Sequence, residues 1–118
     1  AARLKARGFL LGGVKKNDIL MSVMVYGPWP GGFMSQQAGE YFGLTIAADS
    51  RLETKWHVWA TQTYKPDYIV CIPTFLPRFA EVLMQENIDP ASLGIKRIFV
   101  CGDKCLCFDN SVYSACCF

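Results

Sequence analysis

The chain has 118 residues, 52% of them apolar and 19% charged, which supplies a packed core for one domain and excludes a disordered chain. Twelve Lys and Arg against ten Asp and Glu leave a formal charge of +2, which gives no electrostatic case for a nucleic acid or an anionic membrane as partner. The longest nearly unbroken apolar run, residues 19–26, is far shorter than the roughly 20 residues a spanning helix needs. The opening AARLKARGFLLGG has too short an apolar stretch for a secretory leader, and the first residue is not Met, so the chain is expected to be an internal piece of a longer, cytoplasmic protein.

In chain order, residues 4–11 read as the end of a helix stopped by Gly12 and Gly13. The turn at residues 15–18 leads into ILMSVMVY, a buried-strand pattern. After the loop GPWPGG, residues 34–42 are expected to form a helix with Met34, Ala38, Tyr41 and Phe42 on one face, and LTIAA is a short second strand. Across residues 52–63 the apolar positions Leu52, Trp56, Trp59 and Ala60 recur at helical spacing. Pro66-Asp67 breaks the chain before YIVCI, a third strand. Thr74 is placed to cap a helix running to about Gln85, with Leu76, Phe79, Ala80 and Leu83 inward and Pro77 tolerated in its first turn. KRIFVC is a fourth strand. Apolar strands each followed by a helix predict an α/β fold: a three-layer, mostly parallel sheet of about four strands, helices on both faces, joined by right-handed crossovers. Residues 1–103 form this partial domain, and residues 104–118 form a Cys-rich tail.

Six cysteines are unevenly placed. Cys71 and Cys101 lie inside apolar runs, where a thiol acts as a small hydrophobe. Cys105, Cys107, Cys116 and Cys117 crowd the last fourteen residues at spacings that match no common zinc pattern, and the single histidine is distant, so no metal site is expected. The tail lacks helical or strand periodicity. Two readings stand for it: a loop and hairpin whose partner strands lie outside this chain, or an out-of-frame end.

No serine-hydrolase elbow, phosphate loop or dinucleotide fingerprint is present, and no catalytic residue is expected. His57 reads as a solvent-facing residue on a helix surface. Candidate binding residues sit where predicted strands end, the side on which open α/β sheets hold ligands. In the loop after the first strand, Tyr26, Trp29 and Phe33 offer flat apolar surface among glycines and prolines; the alternative is a rigid turn whose aromatics cap the core. After the fourth strand, Gly102 and Asp103 pair a residue that permits close approach with a carboxylate able to accept hydrogen bonds from a ribose or base; the alternative is a simple turn. Pro73 and Thr74 after the third strand form another lip of the same crevice, or a helix cap.

Several stretches occur in a recognisable order. Ala6-Arg7 leads to Gly13-Val14-Lys15-Lys16-Asn17-Asp18; Tyr26-Gly27 is followed by Gly31-Gly32 and then by Tyr41-Phe42-Gly43. KPDYIVCIPTFLPRFAEVL, starting at Lys65, precedes Asn87-Ile88-Asp89-Pro90 and Ile98-Phe99-Val100-Cys101-Gly102-Asp103. Over residues 3–103 this set resembles the adenylate-forming (AMP-dependent synthetase/ligase) superfamily, the phenylacetate–CoA ligase branch most closely, as an internal fragment of its large N-terminal domain. The resemblance implies a parent enzyme that activates a carboxylic acid, an aryl acid by this branch, with ATP and Mg²⁺ to an acyl-adenylate, then transfers the acyl group to coenzyme A. It implies that Tyr26, Trp29 and Phe33 line the acid pocket, that Pro73 and Thr74 edge it, and that Gly102 and Asp103 approach the adenine nucleotide. Asp103 stands where the family usually has Glu. The family's phosphate loop would fall before Ala1, and its ribose-binding Asp, hinge and catalytic lysine beyond Phe118, so the fragment alone is expected to be inactive. Two other readings remain open at this point: a non-catalytic flavodoxin-like domain binding a nucleotide or a small aromatic ligand, and an interaction domain that uses the cysteine tail.

Overall fold

The structure is a computed structural model and describes residues 1–102 together with the strand Ala115–Cys117. The elements are α1 (Ala2–Leu11), β1 (Leu20–Val23), α2 (Gly31–Glu40), β2 (Thr45–Ala47), α3 (Thr54–Tyr64), β3 (Tyr68–Cys71), α4 (Phe75–Gln85), a 3₁₀ turn (Pro90–Leu93), β4 (Arg97–Val100) and β5 (Ala115–Cys117). The strands pair in the order β2-β1-β3-β4-β5 and every pairing is parallel. The expected α/β class is observed. The fifth strand comes from the tail, a stretch in which the sequence shows no period.

Alternation along the strands divides the core in two. Met21, Val23, Ile69, Cys71, Ile98 and Val100 point to one face, where α3 and α4 cover them with Val58, Phe75, Phe79, Val82 and Leu83. Leu20, Tyr68, Val70 and Phe99 point to the other, where α1 and α2 contribute Ala6, Phe9 and Ala38. Both faces of a parallel sheet must be covered by crossover helices, which is why its central strands are apolar throughout. On the α1 side, the rings of Phe9, Tyr68 and Phe99 meet pairwise with centroids 5.0–5.9 Å apart, in tilted or edge-on geometry.

The helical faces differ from the sequence reading in particular residues. The helix α2 begins at Gly31 and buries Gly32, Ser35, Ala38 and Gly39, while Tyr41 lies beyond it and exposed. Small residues let this helix pack close to α1 and β1, so its inward face is set by size rather than hydrophobicity. In α3 the buried side is His57, Val58, Ala60 and Thr61. Leu52 and Trp59 face outward, and Trp59 packs on Trp56 and Tyr64 instead. In α4, Phe75 and Val82 join Phe79 and Leu83, and Ala80 is exposed. Thr74 holds the N-cap position of α4 but makes no side-chain capping bond.

Phe9 is 1% exposed and anchors α1 to two strands. Replacing Phe9 by Ala is expected to lower the unfolding free energy by about 3–5 kcal/mol, the usual cost of deleting a buried ring, measured by urea denaturation; a loss under about 1 kcal/mol would mean that α1 is not part of the cooperative core.

Candidate functional site

The order β2-β1-β3-β4-β5 reverses direction between β1 and β3. From β1 the chain passes over one face through α2 to β2; from β3 it passes over the other through α4 to β4. The loops leaving β1 and β3 therefore diverge, and a crevice forms at the C-terminal ends of these strands. Tyr26, Trp29 and Phe33 follow β1, Pro73 and Thr74 follow β3, and Gly102 follows β4, so the structure brings these residues to one end of the sheet. Asp103, with Cys105 and Cys107, lies outside the described residues. Cys116 and Cys117 enter only as backbone of β5.

Within the first loop, the Tyr26 and Phe33 rings meet edge to face with centroids 5.3 Å apart. Trp29 is 68% exposed and Phe33 50%. The Gly32 backbone comes so close that a Cβ would stand 2.7 Å from the Val25 carbonyl oxygen, which ties α2 tightly to the loop. The Tyr26 hydroxyl approaches that of Ser22, yet among the described residues neither completes a hydrogen bond of ordinary geometry. Burial raises the proton affinity of the Tyr26 phenol above its usual value.

A charged clamp holds the loop from the side of β2. Asp49 accepts from Arg51 Nε at 2.9 Å and from Arg51 Nη2 at 2.6 Å, and Arg51 Nη2 also donates to the Tyr26 carbonyl at 2.8 Å. The Tyr26 N–H reaches Asp49 Oδ2 at 3.4 Å. The Arg51 guanidinium keeps the Asp49 carboxyl well below the usual carboxylate range. Beneath the clamp lies His57, which the sequence reading put on the solvent side. It is 1% exposed, because its Nε2 reaches the Asp49 carbonyl at 3.0 Å and its ring packs edge-on against Phe75 at 5.2 Å. Its Nδ1 is buried and has no hydrogen-bond partner among the described residues. Histidine is inward here because a backbone carbonyl waits for it, and helical spacing of apolar residues carries no sign of that carbonyl.

On the strand-end lips, Pro73 is buried and Thr74 exposed. The Cys101 N–H continues the ladder to the Cys71 carbonyl at 3.0 Å, and Gly102 then turns with φ +97°, a conformation that favours glycine. The nearest atom to a Cβ at Gly102 would be Ile72 Cγ2 at 3.5 Å, so this turn adjoins the β3 lip.

The structure also holds a cavity that sequence reasoning missed. It has a volume of about 410 Å³ and is walled by Leu4, Gly8 and Phe9 of α1, Met34 of α2, and Val70, Phe99 and Cys101 at the strand ends, with Ala1 and Lys5 also on its lining. None of Tyr26, Trp29, Phe33, Pro73 or Thr74 lines it. The nearest sequence signal is the pair Lys5 and Phe9, four residues apart on one helical face. Lys5 Nζ donates to Ser35 Oγ at 2.6 Å, and Ser35 Oγ donates in turn to the Gly31 carbonyl at 2.7 Å. Burial lowers the proton affinity of the Lys5 amine below its usual value. The Cys71 thiol, buried among apolar side chains, is pushed up to about 12 and stays protonated at neutral pH. Among the described residues no group of three or more His, Cys, Asp or Glu side chains is placed to hold a metal, and no helix is long and apolar enough to cross a membrane.

No model of a known protein family matches the chain. A phenylacetate-coenzyme A ligase of Pseudomonas putida is 26% identical over 95 residues, covering 80% of this chain and 22% of that protein. The phenylacetate-coenzyme A ligase of Thermus thermophilus is 25% identical over 95 residues, 80% of this chain and 21% of its own length. The chain thus spans about a fifth of the length of the curated relatives it matches. Among solved structures, an open conformation of 2-hydroxyisobutyryl-CoA ligase in complex with 2-HIB-AMP and CoA superposes with a TM-score of 0.81 at 21% identity, over 87% of this chain and 23% of that one. The same ligase in the thioesterification state gives 0.76 at 22% identity, over 84% and 21%. Sequence and fold agree with the resemblance to adenylate-forming ligases.

Burial beside an unpartnered Nδ1 lowers the proton affinity of His57 below the usual imidazole value of 6.5. The unfolded chain therefore takes up the His57 proton first as pH falls. The contribution of this residue is present above pH 6.5 and is lost as pH drops through the folded-state value, with a slope of at most about 1.4 kcal/mol per pH unit. Thermal melts are expected to show a plateau above pH 7 and a falling Tm below pH 6.5. His57→Gln, with an amide to reach the Asp49 carbonyl, should flatten that fall; an unchanged slope would assign it to another group.

Proposed function

We propose that this relative of the phenylacetate-CoA ligases forms the acid-binding part of an ATP-dependent acid–CoA ligase, with an aryl acid as its substrate class. In the complete enzyme, the substrate carboxylate attacks the α-phosphorus of ATP and pyrophosphate leaves; the coenzyme A thiolate then attacks the acyl carbon of the adenylate and AMP leaves. The observation that carries this reading is the apolar cavity at the strand ends of a chain whose sequence matches those ligases over 80% of its length. A volume of about 410 Å³ accommodates an arylacetic acid, and its walls of Phe9, Phe99, Met34 and Val70 suit an aromatic ring.

The chain's own residues serve binding and orientation in this proposal, and none is catalytic. Tyr26, Trp29 and Phe33 stand outside the cavity wall at the same end of the sheet, and in the complete enzyme they would contact the acid from the loop after β1. Pro73 and Thr74 would flank it from the end of β3, likewise outside the cavity wall. Gly102 allows the nucleotide to approach the end of β4, where Asp103 would accept a hydrogen bond from the adenosine. Holding acid and nucleotide in attack geometry is the main contribution such residues make to the rate. The residues described offer no carboxylate cluster for Mg²⁺, so the ion that neutralises the phosphates would be held by ATP and by parts of the ligase outside those residues. The 118 residues alone contain no phosphate-loop motif and no C-terminal lysine domain and are proposed to be inactive, in a cytoplasmic setting.

The strand order is also that of flavodoxin-like domains, which favours a second reading: a module that binds a nucleotide or small aromatic ligand without chemistry. Titrating the chain with phenylacetate, AMP and flavin mononucleotide, followed by tryptophan fluorescence, separates the two. Saturable binding of phenylacetate, with no acid-dependent AMP formation when ATP and CoA are added, is expected. Trp29→Ala should weaken phenylacetate about tenfold, roughly 1.4 kcal/mol, and leave AMP affinity unchanged; equal losses for both ligands would remove Trp29 from the acid pocket. Binding of the flavin without the acid would replace the ligase reading with the second one, and AMP formation by these residues alone would overturn their inactivity.

A further inference from the structure

We infer that Lys5 is the residue of this chain that binds the carboxylate of the acid, so that the cavity chooses its ligand by an anionic end as well as by an apolar body; this rests on the acid-binding reading of the cavity. Three basic residues lie on α1. Arg3 and Arg7 are exposed, whereas Lys5 is half-buried and lines the cavity, where it is the one cationic side chain. The ammonium is located from two sides. It donates to Ser35 Oγ of α2 at 2.6 Å, and that hydroxyl donates in turn to the Gly31 carbonyl, so an oxygen lone pair is turned toward Lys5. It also lies close enough to Cys101, a residue of the same cavity wall at the end of β4, for the two to interact electrostatically. The charge therefore stands beside the cavity between α2 and the strand ends.

Among the described residues no carboxylate lies within ion-pair distance of this ammonium. Lys96 shows the contrast: it is exposed and yet pairs with Asp67 at 2.7 Å. Burial withdraws water from Lys5 and lowers its proton affinity, and a neutral hydroxyl restores less than a counter-charge would. A carboxylate in the cavity supplies that counter-charge through a charge-assisted hydrogen bond, about twice as strong as a neutral one. An uncharged ligand of the same shape fills the cavity without supplying it. An arylacetic acid carries both parts in one molecule, a ring for the surface of Phe9, Phe99, Met34 and Val70 and one carboxylate for the one ammonium. Cys101 is followed by the turn at Gly102, so a carboxylate held on Lys5 lies on the side of the cavity from which the nucleotide would approach. Lys5 is thus a positioning residue for adenylation: it fixes which end of the acid meets ATP.

The experiment is calorimetric titration of the whole chain at neutral pH with phenylacetate and with phenylacetamide, its uncharged counterpart of nearly the same shape. The wild type should bind phenylacetate about tenfold more tightly than the amide or better. Lys5→Gln, which keeps an N–H donor for Ser35 and removes the charge, should abolish that preference by weakening phenylacetate alone, whereas Lys5→Arg should keep it. A lysine that only supports the wall would instead change both affinities together and be replaced equally well by either residue. The Ala1 amino group, which lies near the same cavity, is unchanged in both variants, so its charge cannot account for a difference between them. Circular dichroism melts establish that the variants are folded. If Lys5→Gln does not fold, Ser35→Ala takes its place: it removes the anchor of the ammonium and should reduce the preference, and a preference it leaves intact would count against Lys5. Equal affinities for acid and amide in the wild type, or a preference that survives Lys5→Gln, would overturn the inference and leave the apolar pocket standing. Failure of the wild type to bind either compound would overturn the pocket reading and this inference with it.

Discussion

The architecture depends on one constraint: strands β1, β3 and β4 lie in the middle of a parallel sheet and must be covered on both faces. Their side chains alternate accordingly, with Met21, Val23, Ile69, Cys71, Ile98 and Val100 toward α3 and α4, and Leu20, Val70 and Phe99 toward α1 and α2. Covering both faces requires crossovers on both sides of the sheet (α2 on one, α3 and α4 on the other), and with a fixed crossover hand that is possible only if the strand order reverses. The reversal falls between β1 and β3, so the crevice at their ends follows from the need to bury the sheet.

The two ends of the sheet are built differently. At the N-terminal end, Asp67 accepts from the Ile19 N–H at 2.8 Å and from Lys96 Nζ at 2.7 Å, and its backbone carbonyl receives the Lys96 N–H at 2.7 Å. Asp18 closes its own turn by accepting from the Lys15 N–H at 2.8 Å. These groups satisfy one another, whereas the buried Tyr68 hydroxyl beside them has no hydrogen-bond partner among the described residues. At the C-terminal end, polar capacity is left over among the described residues: hydroxyls at Ser22 and Tyr26 without full partners, an ammonium at Lys5 with one hydrogen bond, and exposed rings at Trp29 and Phe33. Unspent hydrogen-bonding capacity beside apolar surface is what a binding site requires, and carboxylates that saturate their neighbours are what a stable edge requires.

Much of this was legible in the residues. Unbroken apolar runs such as YIVCI and RIFV can only be strands covered on both sides, and the Gly and Pro punctuation between them marks the crossovers, so class and element order follow from local pattern. What was not legible depends on partners distant in sequence. The choice of inward face in α2 turned on how closely small residues let it approach α1 and β1, a tertiary distance. His57 was misread because its inward position is stabilised by the carbonyl of Asp49, eight residues earlier, and by Phe75, eighteen residues later. The strand Ala115–Cys117 has no period to read, since three residues at a sheet edge are too few to show one.

The same reasoning explains why the cavity stayed hidden while the aromatic loop after β1 did not. Tyr26, Trp29 and Phe33 cluster in sequence, so their density invites attention. The cavity wall draws on α1, α2, β3 and β4, and its residues run from Leu4 to Cys101 with no local density. In the sequence, Lys5 is one of twelve basic residues in the chain and one of three on its helix; only the approach of α2 places Ser35 against it, 30 residues away. A charge that a helix could have left in water is instead held between two helices beside aromatic rings. Among the described residues that arrangement gives Lys5 no ion pair, and the Ser35 hydroxyl at 2.6 Å holds the half-buried ammonium in its place.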